Sequence, residues 1–320
     1  QLPFWDKSLI MKKNFLSILS LFLFVPFFGQ QVALNSQYLF NDLAINPAVA
    51  GVKNYTPLTF SFRRQWAGID EAPVTQHLIA HTYIGKSAGA GVNFYNDASG
   101  PTRRTGFNTS FSYHVKTGNR SKLSFGLAGS LTQFIIDRDR LITDIPGDIA
   151  VLNNSNNQLI ADCNFGLYWS GERHFLGVSG FNLFENKTDL FALTTPVINT
   201  LDRVFYGHGG YNFKLGAVLD IQPSVVFRYM LNSQFQLDGN LKFTVKDAFW
   251  LAGSYRMNDA IAIMGGVDLG SFQVGYSYDL GISEIKTYNT GSHEVFLGIK
   301  LNREPKDKTP WRKRNKVYSN

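Results

Sequence analysis

The chain has 320 residues, and its 31 Lys+Arg against 24 Asp+Glu give a formal charge of +7. Only 17% of it is charged, while 44% is hydrophobic and 14% aromatic, which excludes a disordered or coiled-coil chain. One cysteine excludes a disulfide scaffold and a thiolate metal cage, and a mean hydropathy of −0.11 excludes a bundle of membrane helices.

In chain order, residues 1–10 precede Met11, which reads as the initiator, so they are taken as an upstream extension of the gene model. Residues 11–30 read as a signal peptide. Met11-Lys12-Lys13 is a basic start, and Phe15 to Phe28 is apolar except at Ser17, Ser20 and Pro26. That run falls short of the ~20 residues that span a bilayer, but it suits the apolar region of a secretion signal. Cleavage falls near Gly29 to Gln31, and with no cysteine there the product is not a lipoprotein. Residues 31–54 precede the first strand.

Over 55–301 the apolar period is two, not 3.6. Phe235, Leu237, Gly239, Leu241, Phe243 and Val245 share one face, and Gln236, Asp238, Asn240, Lys242, Thr244 and Lys246 the other. The expected strands, 14 in number, lie near 57–67, 74–85, 88–97, 104–117, 121–136, 160–171, 174–184, 203–214, 217–230, 233–246, 248–257, 260–268, 271–282 and 291–301. Alternation also fits a soluble sandwich. The connections favour a barrel: tight ones recur at Gly85-Lys86-Ser87 and Gly171-Glu172-Arg173, and long ones at 67–74, 97–103, 137–159 and 185–202. Long loops at one end and tight turns at the other mark an outer-membrane barrel. The expected fold is therefore all-β: a transmembrane outer-membrane β-barrel of about 14 antiparallel strands, with both termini in the periplasm by strand parity. Inward Gly126, Ala128, Ser130, Gly275 and Ser277 leave room for something inside, and 31–54 is the natural insert.

Residues 302–320 form a basic tail holding Arg303, Lys306, Lys308, Arg312, Lys313, Arg314 and Lys316 against Glu304 and Asp307. With the +2 of residues 1–30 removed as well, 31–301 is neutral, which excludes a nucleic-acid-binding body. Such a tail offers an acidic partner or inner-leaflet headgroups about 1 kcal/mol per basic residue, a solvated tail being the alternative.

Three motifs carry a family resemblance. They are Ser36-Gln37-Tyr38-Leu39-Phe40-Asn41-Asp42-Leu43-Ala44-Ile45-Asn46-Pro47-Ala48-Val49-Ala50-Gly51, then Arg63-Arg64-Gln65-Trp66-Ala67-Gly68-Ile69-Asp70-Glu71-Ala72-Pro73-Val74-Thr75, then Tyr95-Asn96-Asp97-Ala98-Ser99-Gly100-Pro101. Together they closely resemble the PorP/SprF family of Bacteroidetes outer-membrane proteins, associated with type IX secretion and gliding motility. Asp42 stands where that family often has Pro, and Val49 where it often has Tyr. The resemblance implies a non-enzymatic 14-stranded barrel without a cofactor. Its partners would be outer-membrane lipid, a secreted surface adhesin or cargo C-terminal domain, and periplasmic type IX secretion subunits. Tyr38, Phe40, Asn46, Pro47, Arg63, Arg64, Trp66 and Asp70 are the candidates for partner binding or for locking a plug. A plugged transporter of hydrophobic small molecules is the alternative, and an outer-membrane lipid hydrolase a third.

Chemistry is otherwise sparse. His77 and His81 on a strand stand ~13 Å apart, too far to share a metal. Cys163 has no base beside it, and Gly177-Val178-Ser179-Gly180 lacks the spacing of a nucleophile elbow. Gly89-Ala90-Gly91 opens a strand with no helix after it, so it is not a phosphate loop. Asp137, Asp139, Asp144 and Asp148 share a loop without the ligand spacing of a calcium site.

Overall fold

The computed structural model describes residues 38, 41–85, 87–137, 140, 157–188, 199–231 and 235–302. Its barrel strands are β1 (Thr56–Arg64), β2 (Val74–Ile84), β3 (Ala88–Ser99), β4 (Thr102–Lys116), β5 (Lys122–Ile136), β6 (Asn157–Ser170) and β7 (His174–Phe181). After them come β8 (Val204–Tyr211, resumed at Phe213–Leu215), β9 (Leu219–Met230), β10 (Gln236–Val245), β11 (Phe249–Arg256), β12 (Ala260–Asp268), β13 (Phe272–Gly281) and β14 (Ser292–Leu301). Each is antiparallel to its neighbours, and β14 returns to β1 from Thr56↔Leu301 to Arg64↔His293. The sheet thus closes into a 14-stranded barrel, as its alternation and turns predict.

Boundaries differ from the sequence reading at two informative places. The expected loop 97–103 is a hairpin tip of Gly100 and Pro101, because β3 and β4 run on to Ser99 and Thr102 and the Thr102 hydroxyl donates to the Ser99 carbonyl (2.8 Å). β8 breaks at Asn212, whose N–H leaves the ladder to donate to the Arg173 carbonyl (2.6 Å).

The packing is inside-out relative to a soluble protein. Phe60, Phe62, Leu78, Phe94, Leu127, Leu237, Leu241 and Ile263 are exposed on the outer face, whereas Ser61, Ser112, Ser124, Asn164, Asp238 and Glu294 are buried on the inner one. A half-exposed row of Phe and Leu is unfavourable in water and favourable against lipid.

β6 outruns β7, which pairs only with Phe165–Ser170. Beyond that point the buried Asp162 carboxylate substitutes for the missing strand, its Oδ1 accepting the N–H groups of Cys163 (2.7 Å) and Phe184 (3.0 Å). Leu183 N–H donates to the Cys163 carbonyl (3.2 Å), so Cys163 is an ordinary strand position with a free thiol.

Inside the barrel lie Tyr38 and the stretch from Asn41 through Val52. Two single 3-10 turns, Asp42–Ala44 and Pro47–Val49, compact it, with Pro47 at the first turn position where its missing N–H costs nothing. Ala48, Val49 and Ala50 are among the least exposed residues of the described chain.

Candidate functional site

The lumenal segment is held through its backbone, so its path matters more than its side chains. Gly51 N–H donates to His81 Nδ1 (3.1 Å), Ser112 Oγ to the Ala50 carbonyl (2.6 Å), Lys122 Nζ to the Val52 carbonyl (2.9 Å), and Ser179 Oγ to the Ile45 carbonyl. Asn46 caps the second turn by accepting from Ala48 N–H (2.9 Å), and its amide donates to the Leu167 carbonyl (2.9 Å). Asn46 reaches that strand backbone because Gly166 stands beside it: a Cβ on Gly166 would fall 2.1 Å from Asn46 Oδ1. At Gly126 a Cβ would lie 2.2 Å from Ala48 N, and at Gly89 2.2 Å from the Ala50 carbonyl oxygen. Gly51 itself, at φ +68°, uses the left-handed region and leaves a Cβ only 2.7 Å from Gly89 Cα. Gly126 thus faces a packed segment. At Gly275 the expected neighbour is different, because Trp250 and Phe296 of the wall occupy the space.

On the opposite wall, Tyr38 and Ile45 join Val204, Tyr206, Val226 and Met230 in one apolar cluster. The Tyr38 hydroxyl lies 3.1 Å from Asp238 Oδ2 and 3.0 Å from Asn240 Oδ1. Asp238 is one member of a buried charge network. Arg256 stands 3.7 Å from Asp238, 3.0 Å from Asp259 and 3.7 Å from Asp279. Arg63 stands 2.8 Å from Asp279 and 3.3 Å from Glu294. Ser277 Oγ and the Gln236 amide supply further donors to Asp279 and Asp238. Buried charges persist only when paired and hydrogen-bonded, and here each carboxylate has both.

Of the sequence-derived candidates, Tyr38, Asn46, Pro47 and Arg63 lie in the lumen, with Tyr38 and Arg63 at two ends of this network. Arg64 points the other way, exposed on the outer face, since neighbours in a strand alternate. Trp66 lies beyond β1 at φ +46°, its N–H donating to Ser292 Oγ (3.2 Å), while Asp70 is exposed in the 65–73 connection. Phe40 and the basic tail Arg303, Lys306, Lys308, Arg312, Lys313, Arg314 and Lys316 lie outside the described residues. Asp42 pairs with Lys53 (3.3 Å), and Val49 packs beside Tyr168.

The motif reading did not single out Ser112, Lys122, Asp238, Arg256, Asp279 or Glu294. Inward phase on the alternating strands is the signal that marks them. Ser179 and Gly89, set aside as catalytic or phosphate-binding motifs, serve the lumenal segment instead. Among the described residues no three of His, Cys, Asp or Glu are grouped as a metal ion would need.

Two of the cavities that adjoin the segment share Tyr38 and Ile45 in their lining. One of about 210 Å³ opens toward the long connections, lined by Asn93, Tyr95, Thr132 and Asn164; the other, of about 270 Å³, lies toward the short turns, lined by Lys53, His208 and Lys242. Tyr38 and Ile45 line both and form the partition between them.

The Ralstonia pickettii toluene transporter TbuX is similar in fold, with a TM-score of 0.51 at 8% identity over 81% of this chain and 92% of that one. The Pseudomonas putida toluene transporter TodX matches with a TM-score of 0.47 at 9% identity over 85% and 95%. The Acinetobacter baumannii outer membrane protein Omp33 matches at 0.44 and 7% over 77% and 98%. Identities this low speak to the fold alone. No curated relative matches the chain. The family model described as "Type IX secretion system membrane protein PorP/SprF" matches residues 27–299, so this closed barrel with its apolar outer belt belongs to the PorP/SprF family of type IX secretion outer-membrane components.

Proposed function

We propose that this chain anchors and assembles secreted surface proteins at the outer membrane, with its long connections outside the cell and both termini in the periplasm. The loops around 67–74, 137–159 and 185–202 would hold a secreted adhesin or cargo C-terminal domain. The turn end would face periplasmic type IX secretion subunits. The observation that carries this reading is the partition: the chain's own Tyr38 and residues 41–52 occupy the lumen and are bonded to the wall from β2 to β10. A lumen so occupied supports work by binding energy rather than by passage, and a small-molecule transporter would need a route through Tyr38 and Ile45.

The test is affinity capture of the tagged barrel from solubilised outer membrane. Recovery of a large surface protein or periplasmic secretion subunits supports anchoring, and a lone barrel carrying bound lipid contradicts it. Arg64 and Trp66 sit where β1 meets its outward connection, and Arg–carboxylate and Trp contacts suit a partly wet interface. Arg64→Ala or Trp66→Ala should lower surface retention of the partner while barrel levels stay normal. Unchanged retention in both would remove these residues from the interface.

A further inference from the structure

At the turn end, the β4–β5 turn, the β6–β7 turn and the break in β8 at Asn212 surround a cavity of about 460 Å³. Its floor is apolar, from Val49 and Val52 of the lumenal segment and the Tyr168–Phe175 ring pair (centroids 6.2 Å apart). Its lining is cationic: Lys53, Lys116, Arg120, Lys122 and Arg173 stand against only Asp42 and Glu172. Both carboxylates already have partners, Asp42 in Lys53 (3.3 Å) and Glu172 in Arg120 (2.6 Å). The bonded Arg120 guanidinium holds the Glu172 carboxyl below its usual range, and Arg173 and Lys214 act in the same sense.

Two of the lining residues carry a buried polar atom with no hydrogen-bond partner among the described residues: Ser170 Oγ and Asn212 Oδ1. Ser170 is only 7% exposed. Buried polar groups are ordinarily satisfied, so two such groups among the lining of one cationic cavity with an apolar floor point to an occupant. Apart from His174, which stacks on Trp169 (centroids 4.4 Å), the wall lining comes from inward-facing strand positions and turn tips, so the cavity opens along the barrel axis rather than into the lipid belt. A bilayer headgroup is therefore poorly placed to fill it. The chain's own tail, 302–320, carries net positive charge and is repelled by the rim.

We infer that this cavity receives an extended acidic segment of a partner protein, one apolar side chain seated on Val49, Val52, Tyr168 and Phe175 and flanking carboxylates on Lys116, Arg120 and Arg173. Ser170 and Asn212 then take polar groups of the segment. That the partner is periplasmic rests on the orientation proposed above; the chemistry of the segment does not.

A fluorescent peptide of glutamates around a central leucine, titrated by anisotropy against the full-length protein in detergent, tests this. Saturable binding is expected, weakened roughly tenfold or more by the double rim variant Lys116→Glu/Arg173→Glu. Both positions are exposed, so the barrel should keep its heat-modifiable gel migration. Arg103→Glu, exposed at the opposite end, should leave the affinity unchanged. Absence of saturable binding, equal affinity in the rim variant, equal loss in Arg103→Glu, or displacement by inorganic phosphate at matched charge would each overturn the assignment. Because the binding is read on isolated protein, it can fail while cargo capture succeeds, and the reverse.

Discussion

Gly126→Val should drive the lumenal segment from its seat while the barrel still closes. A Cβ at Gly126 meets backbone, with Ala48 N at 2.2 Å, Ala48 Cα at 2.4 Å and the Pro47 carbonyl carbon at 2.5 Å. No side-chain rotation relieves such a contact, so the segment moves or the wall does. The wall is the stiffer element, since Gly126 is paired on both sides, with Ser112 and with Gly166, and valine favours strands over glycine. Overpacking of this kind typically costs about 1–3 kcal/mol against the docked segment. That shift is roughly 5- to 150-fold in the docking equilibrium. Limited proteolysis of the detergent-solubilised protein should therefore show new cleavage between residues 38 and 54 in the variant, with native gel migration of the barrel retained. Equal protection of the two proteins would mean that the segment is not seated against Gly126.

Arg63→Ala should be the most destabilising single change in the buried charge network. The guanidinium is 1% exposed and lies between Asp279 and Glu294, which are equally buried. Removing one partner of a buried ion pair typically costs about 3–5 kcal/mol because the remaining charge is left without compensation. Arg256 offsets part of this at Asp279, 3.7 Å away. Adding Glu294→Gln to Arg63→Ala should therefore restore a measurable fraction of the loss. Urea unfolding of the barrel in detergent reads both steps. A single variant within about 0.5 kcal/mol of wild type would show that this network is solvated rather than buried.

The wall of the barrel is legible in the sequence because period-two alternation records which face meets lipid. Leu237, Leu241 and Val245 fall outward, and Gln236, Asp238 and Asn240 inward, as their phase requires. The same alternation separates Arg63 from Arg64, so a motif that reads as one basic patch becomes a lumenal ion pair and an outward side chain. Small inward residues announce a close neighbour without saying which. Gly126 faces Ala48, yet Gly275 faces Trp250 of the same wall, and one-letter size carries no difference between them. Hidden also is the network, since Arg63 and Glu294 are 231 residues apart and meet only because β14 closes on β1. The hairpin at Gly100-Pro101 reads as a longer loop because Asn96, Asp97 and Ser99 are turn formers by composition, although ladder hydrogen bonds hold all three in strand.

Planar-bilayer recording of the purified wild-type chain tests most directly whether the lumen is a packed support for the long connections. With Tyr38 and residues 41–52 seated between the walls, the barrel should insert without steady ionic conductance. A stable, long-lived open conductance from the wild-type protein would show a continuous aqueous path past Tyr38 and Ile45, and would contradict it.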